Sequence, residues 1–122
     1  MKTFDFPKSS RLLKPKDYSG VFNHVQTRVS HRHFLILATR NDLGHARVGL
    51  VFSKKTLRLS VQRNRIKRLV RESFRHQTDL PDLDIVVLSR RGLSDLSNTQ
   101  VTAILDDLWD RLKQKSQLKQ PD

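Results

Sequence analysis

Residues Ser60–Arg75 read SVQRNRIKRLVRESFR, with six lysines and arginines against a single acid, Glu72. Placed at about 100° per residue, Ile66, Leu69, Val70 and Phe74 fall within an arc of roughly 140°. Asn64, Arg68, Arg71 and Arg75 fall within about 60° on the opposite side, with Lys67 beside them. The pattern predicts an amphipathic helix over 61–76 whose inner face is core and whose outer face is a row of guanidinium groups. Arg63 lies off that row, nearer the apolar edge in the first turn, where it can swing toward whatever adjoins the helix start. A solvated surface helix mixes charge signs for i,i+4 support. Here only Glu72 is available, so the like charges repel unless an anion sits against them.

Working outward, HFLILATR (His33–Arg40) is a bulky apolar strand, NDLGHA (Asn41–Ala46) is turn chemistry, and RVGLVFS (Arg47–Ser53) alternates as a return strand. The expectation is an antiparallel hairpin of these two strands. KKTLRLSVQ is a basic connection into the helix, and Pro81 follows its end. DIVVLSR (Asp84–Arg90) is a continuous apolar run, which suits a buried strand. Ser97 and Gln100 fit a capping box. Val101, Ile104, Leu105, Leu108, Trp109 and Leu112 then form a helical stripe. Upstream, Pro15 suits a first helical turn and Tyr18, Val21, Phe22 and Val25 recur at helical spacing. Residues 1–13 read as an irregular arm and 114–122 as a frayed tail. The order is α-β-β-α-β-α, with an extra edge strand formed from the arm as an optional addition. It defines an α+β fold in which helices pack on one sheet as a two-layer α–β sandwich, in a single domain spanning 1–122.

The whole chain carries 24 Lys and Arg against 12 Asp and Glu, a formal charge of +12 over 122 residues. That imbalance makes nucleic acid the first partner to consider and an acidic membrane surface the second. No run of about 18 apolar residues is present to span a membrane, and the first residues lack the apolar core of a secretory signal. With no cysteine, disulfides and thiolate metal sites are excluded. Arginine favours bidentate phosphate recognition. Asn64, uncharged within the row, has a donor and an acceptor for a base edge or a 2′-hydroxyl.

RNRIKRLVRESFR, preceded by RVGLVFSKK, resembles the signature of the bacterial ribonuclease P protein subunit. FPKSSRLLKPKDYSGVF is similar to that family's N-terminal segment. DIVVLSRRGLSDLSN followed by a Leu- and Trp-bearing helix resembles its γ-proteobacterial members. The likeness covers about residues 4–113. It implies an α–β sandwich like a domain of ribosomal protein S5, with a left-handed βαβ crossover against the usual right-handed rule. It implies a subunit of an endoribonuclease whose catalytic groups and Mg2+ belong to an RNA, so no catalytic or metal-binding residue is expected in this chain. The expected partners are that RNA and precursor tRNA, whose 5′ leader is removed. One cytoplasmic, monomeric copy per RNA is the expectation.

On the family's pattern, Arg63, Asn64, Arg65, Lys67, Arg68, Arg71 and Arg75, with Lys54, Lys55 and Arg11, are the expected RNA-binding residues. Tyr18, Phe22 and Phe34, with Arg63 and Asn64, are expected to line a cleft for the leader. Aromatics beside a basic track hold single strands by stacking. Core packing is the alternative for Phe22 and Phe34. Where some members carry an aromatic in the first strand, this chain has Leu37, and its basic connection lacks their glycine.

Three rival readings stand beside this one, and the first, a structural RNA-binding protein of the same fold, would need the basic helix but not an exposed Tyr18 and Phe22. His31 and His33 on one strand face, among the histidines His24, His31, His33, His45 and His76, suggest metal or acid–base chemistry, but no third ligand follows at a recognisable spacing. Asp42, Asp79, Asp82 and Asp84 sit in turn sequence. A DNA-reading helix lacks the preceding helix-turn spacing.

Overall fold

The computed structural model describes residues 8–118. Four strands form one sheet: β1 (Thr27–Ser30), β2 (Phe34–Arg40), β3 (Arg47–Val51) and β4 (Leu83–Ser89). Three helices accompany it: α1 (Pro15–Asn23), α2 (Ser60–Arg75) and α3 (Asn98–Leu118). Single 3-10 turns form at Lys8–Ser10 and Leu93–Asp95.

The strand order is β1-β2-β4-β3. β2 pairs antiparallel with β1 and with β4, and β3 pairs parallel with β4. The hairpin expected between His33–Arg40 and Arg47–Ser53 is therefore corrected, because β4 lies between them. The cause is the composition of β4. Ile85, Val86 and Val87 are all fully buried, and a strand buried on both faces belongs inside a sheet with a partner on each side. The turn chemistry of 41–46 spans the gap. Asn41 donates its backbone N–H to the Asp82 carbonyl and its Nδ2 to Asp84 Oδ1 at 2.8 Å. The Arg47 guanidinium then grips Asp84 with two hydrogen bonds, at 2.8 and 2.7 Å. Burial opposes ionisation of Asp84, but the hydrogen bonds from Arg47 and then Asn41 prevail and hold its carboxyl below the ordinary value.

The extra edge strand is also relocated. It is β1, paired from Thr27↔Ala38 to Ser30↔Leu35. The arm supplies one bridge, Arg11 to Val48, at the free edge of β3. The arm is thus irregular but anchored, with Leu12 buried; its residues 1–7 lie outside the described residues. The first helix stops at Asn23, so Val25 falls outside it and stays exposed.

Alternation divides the sheet into two faces. Ile36, Ala38, Val48, Ile85 and Val87 meet Ile66, Val70 and Phe74 of α2 and Leu105, Leu108 and Trp109 of α3 in the main core. Leu37 and Val86 point the other way and pack with Leu12 and Val21 beneath α1, joined by Tyr18, Leu35, Val51 and Leu88. The sandwich is the expected one, with α1 over part of the second face and α2 crossing over between the parallel strands β3 and β4.

The capping box before α3 forms as read: Ser97 N–H donates to Gln100 Oε1 at 2.8 Å, and Gln100 N–H to Ser97 Oγ at 3.1 Å. The frayed tail is corrected. α3 continues to Leu118 with Ser116 buried, and Lys115 Nζ donates to the Arg28 carbonyl of β1 at 2.9 Å. Residues 119–122 lie outside the described residues.

Candidate nucleic-acid interface

α2 divides as its periodicity requires. Ile66, Val70 and Phe74 are buried, while Asn64, Arg68 and Arg71 are exposed on the outer side. No carboxylate among the described residues lies within ion-pair distance of Lys67, Arg68 or Arg71. This part of the row is open positive charge.

Three arginines expected in the interface are engaged elsewhere. Arg63 does not swing outward: Nη1 donates to the Leu57 and Arg58 carbonyls at 2.9 and 3.0 Å, tying the 53–59 connection to the first turn of α2. Arg65 donates to Gln62 Oε1, to Asn98 Oδ1 at 2.7 Å and to the Leu93 carbonyl, so it joins α2 to the start of α3. Arg75 pairs with Glu72 at 2.6 Å. Hydrogen bonds from Arg75 and then His76 hold the Glu72 carboxyl below its ordinary value. The row is therefore strongest over Asn64–Arg71 and neutralised at its C-terminal end. Lys54 and Lys55 are exposed in a turn closed by the Leu57 N–H to the Ser53 carbonyl at 3.0 Å, just beyond β3.

Beside this row, Arg11 from the arm, Tyr18 from α1, Gly49 from β3, and Lys67 and Arg71 from α2 surround a depression of about 150 Å³. Tyr18 lies directly over Gly49: a Cβ there would come within 2.5 Å of Tyr18 Cε1 and 2.7 Å of its Oη. The missing side chain of Gly49 is what lets the phenol settle on the sheet edge. Gly49→Ala is accordingly expected to cost about 1–3 kcal/mol by overpacking or to push Tyr18 outward. In a Tyr18→Ala background the same change should cost much less. Equal costs in both backgrounds, measured by chemical denaturation, would refute the contact.

Phe34 is corrected. It is fully buried, 6.5 Å from the Phe52 ring, in the main core. It shares strand parity with Ile36 and Ala38, which face α2 and α3, whereas Tyr18 sits on the opposite face. Phe22 is 43% exposed on α1 but does not line the depression around Tyr18. Core packing thus accounts for Phe34 and not for Phe22.

The HRH segment is a turn between β1 and β2, not a strand face. His33 donates its backbone N–H to His31 Nδ1 at 3.0 Å, and His33 Nδ1 lies 2.8 Å from the Arg91 carbonyl. Burial, then the nearby charges of His33 and Arg111, lower the His31 pKa. Among the described residues no three His, Asp or Glu side chains gather where a metal ion could be held, and no helix is long and apolar enough to cross a membrane.

The fold is an α+β sandwich that presents open arginines along one helix and, beside them, a depression bordered by Tyr18, a surface that attracts anions. The ribonuclease P family model matches residues 6–113, and the chain belongs to that family. It is 65% identical over 122 residues to the ribonuclease P protein component of Marinobacter nauticus, covering all of this chain and 92% of that one. The corresponding component of Azotobacter vinelandii is 49% identical over 113 residues, covering 92% and 87%. Among solved structures, the Staphylococcus aureus RNase P protein superposes with a TM-score of 0.80 at 30% identity, covering 87% of this chain and 97% of that one. The Thermotoga maritima RNase P protein gives 0.73 at 29%, covering 83% and 96%. As a member of this family the chain serves as the protein subunit of an endoribonuclease whose catalysis is performed by RNA, in tRNA 5′ processing.

Proposed function

We propose that the outer face of α2, through Asn64, Lys67, Arg68 and Arg71 with Lys54 and Lys55, binds the catalytic RNA, and that the depression at Tyr18 receives the 5′ leader of precursor tRNA. The observation that carries this reading is the convergence of Arg11, Tyr18, Lys67 and Arg71 around one depression. A leader is single-stranded, so its bases are free to stack on an aromatic ring while its phosphates meet the flanking cations. Such stacking is worth about 1–3 kcal/mol per base. Mature tRNA has no leader and gains nothing from Tyr18.

Mg2+ acts with the catalytic RNA. The protein brings positive charge to a place where two polyanions approach each other, which lowers their repulsion and hence the Mg2+ concentration needed. We place it in the cytoplasm as a monomer, one copy per RNA.

Reconstitution with the cognate RNA tests the reading. At low Mg2+, cleavage of precursor tRNA is expected to depend on the protein. Tyr18→Ala is expected to weaken precursor binding by about 1–3 kcal/mol while binding of mature tRNA stays unchanged. Equal loss for precursor and mature tRNA would refute the leader site. Cleavage indifferent to the protein would refute the whole proposal.

A further inference from the structure

The arm builds a second hollow, of about 420 Å³, from the turn at Lys8–Ser10, the start of α1 and the β2–β3 connection. That volume lies within the range of about 300–1,000 Å³ typical of ligand pockets. Lys8, Arg11, Lys14 and Lys16 line it. The hollow is held in shape by hydrogen bonds that use no lysine side chain. His45 Nε2 meets the Ser9 carbonyl at 2.7 Å, and the Leu12 N–H donates to the Val48 carbonyl at 3.1 Å.

Among the described residues, Asp17, which lines the hollow, and its neighbour Asp84 are already committed. Asp17 accepts the Lys14 backbone N–H at 3.1 Å and lies 3.7 Å from Arg47, and Asp84 takes both hydrogen bonds of that same guanidinium. No carboxylate among the described residues comes within ion-pair distance of Lys8, Lys14 or Lys16. The hollow also has apolar walls. Leu13 is 58% and Leu43 51% exposed there, more than either needs for packing. Cations beside exposed apolar side chains suit a nucleotide, whose phosphate and base need both.

This hollow is not isolated. Arg11 and Leu13 line it and also line the depression at Tyr18. From this continuity we infer that the arm hollow is an RNA-binding subsite that takes phosphates and an unstacked base of a single-stranded segment running on from Tyr18. The inference rests on the RNA-binding reading of α2 and extends it to residues outside the signature helix.

The test uses the full chain with Lys8→Ala/Lys16→Ala, both side chains being exposed. In parallel, Arg68→Ala/Arg71→Ala serves as the reference. Binding is measured over a salt series for three RNAs: the catalytic RNA alone, and precursor tRNA with a short or a long leader. Losing two phosphate contacts on a single strand should flatten the salt dependence by about 1.4 in slope and weaken binding about tenfold near physiological salt. A loss confined to the long leader identifies the leader as the occupant. A loss on the catalytic RNA alone would overturn the subsite as a continuation of the strand held at Tyr18. Wild-type affinity and slope on all three RNAs, with the α2 pair impaired, would overturn the subsite and leave the α2 reading standing. No effect of either pair would overturn both.

Discussion

Trp109→Ala is expected to cost about 3–5 kcal/mol, a large part of the roughly 5–15 kcal/mol that holds a domain of this kind. The indole is fully buried where α2, α3 and the sheet meet. Its ring stands at 64° to Phe74 with centroids 5.8 Å apart, an edge-on arrangement that adds to the burial of area. Its Nε1–H donates to Ser73 Oγ at 2.8 Å, so the ring is both packed and polar-satisfied. Alanine would leave a cavity bordered by Phe74 and would leave the Ser73 hydroxyl with only its 3.4 Å hydrogen bond to Asp106 Oδ1. Ser73→Ala should do less, about 1–3 kcal/mol, because it orphans the indole N–H without opening a large cavity. Urea denaturation measures both. A Trp109→Ala loss under about 1 kcal/mol would mean that the indole is not the tie between the two helices.

Periodicity made α2 and α3 readable because each must bury one stripe, and a stripe at helical spacing is visible in a single chain. The capping box at Ser97 and Gln100 was equally local. Strand pairing was not. NDLGHA looks like the end of a hairpin, and nothing within 33–53 reveals that a strand more than thirty residues downstream will insert there. The signal lay in β4: a run without alternation needs covering on both faces and pairing on both edges. β1 carries little local signal, because TRVS has one apolar residue in four positions and its burial comes from α3 packing against it.

The site was legible to the same depth. Lys67, Arg68 and Arg71 sit where the helical angles put them, and Tyr18 is next to them because Gly49 makes room. Arg63 and Arg65 belong to the same motif, yet their guanidinium groups are spent on backbone carbonyls and on Asn98, partners set by the connections before and after α2. A sequence shows which face a side chain leaves from, not whether a carbonyl waits there. Phe34 shows the other limit. Its strand and type were right for a cleft, but cleft or core depended on which sheet face α1 would cover. The grouping of Lys8, Lys14 and Lys16 has no local signature, because it requires the arm to fold back along β3.

Arg68→Glu/Arg71→Glu is expected to weaken binding of the catalytic RNA on the order of a hundredfold near physiological salt while leaving the fold intact. Each phosphate contact on a helical RNA contributes about 0.9 to the salt slope, so two lost contacts alone are worth roughly thirtyfold at about 0.15 M salt, and the introduced acids add repulsion. Both side chains are exposed and neither has a carboxylate partner among the described residues. Stability should therefore change by no more than about 0.5 kcal/mol, with relief of like-charge repulsion as the favourable part. Arg65→Ala should give the reverse pattern. It removes hydrogen bonds to Gln62, Asn98 and the Leu93 carbonyl, so thermal stability falls first and RNA affinity follows only as the α2 start loosens. Near 1 M salt, where screening acts within about 3 Å, the double variant and the unaltered chain should bind alike. A deficit that persisted there would mean that Arg68 and Arg71 contribute through contacts other than charge.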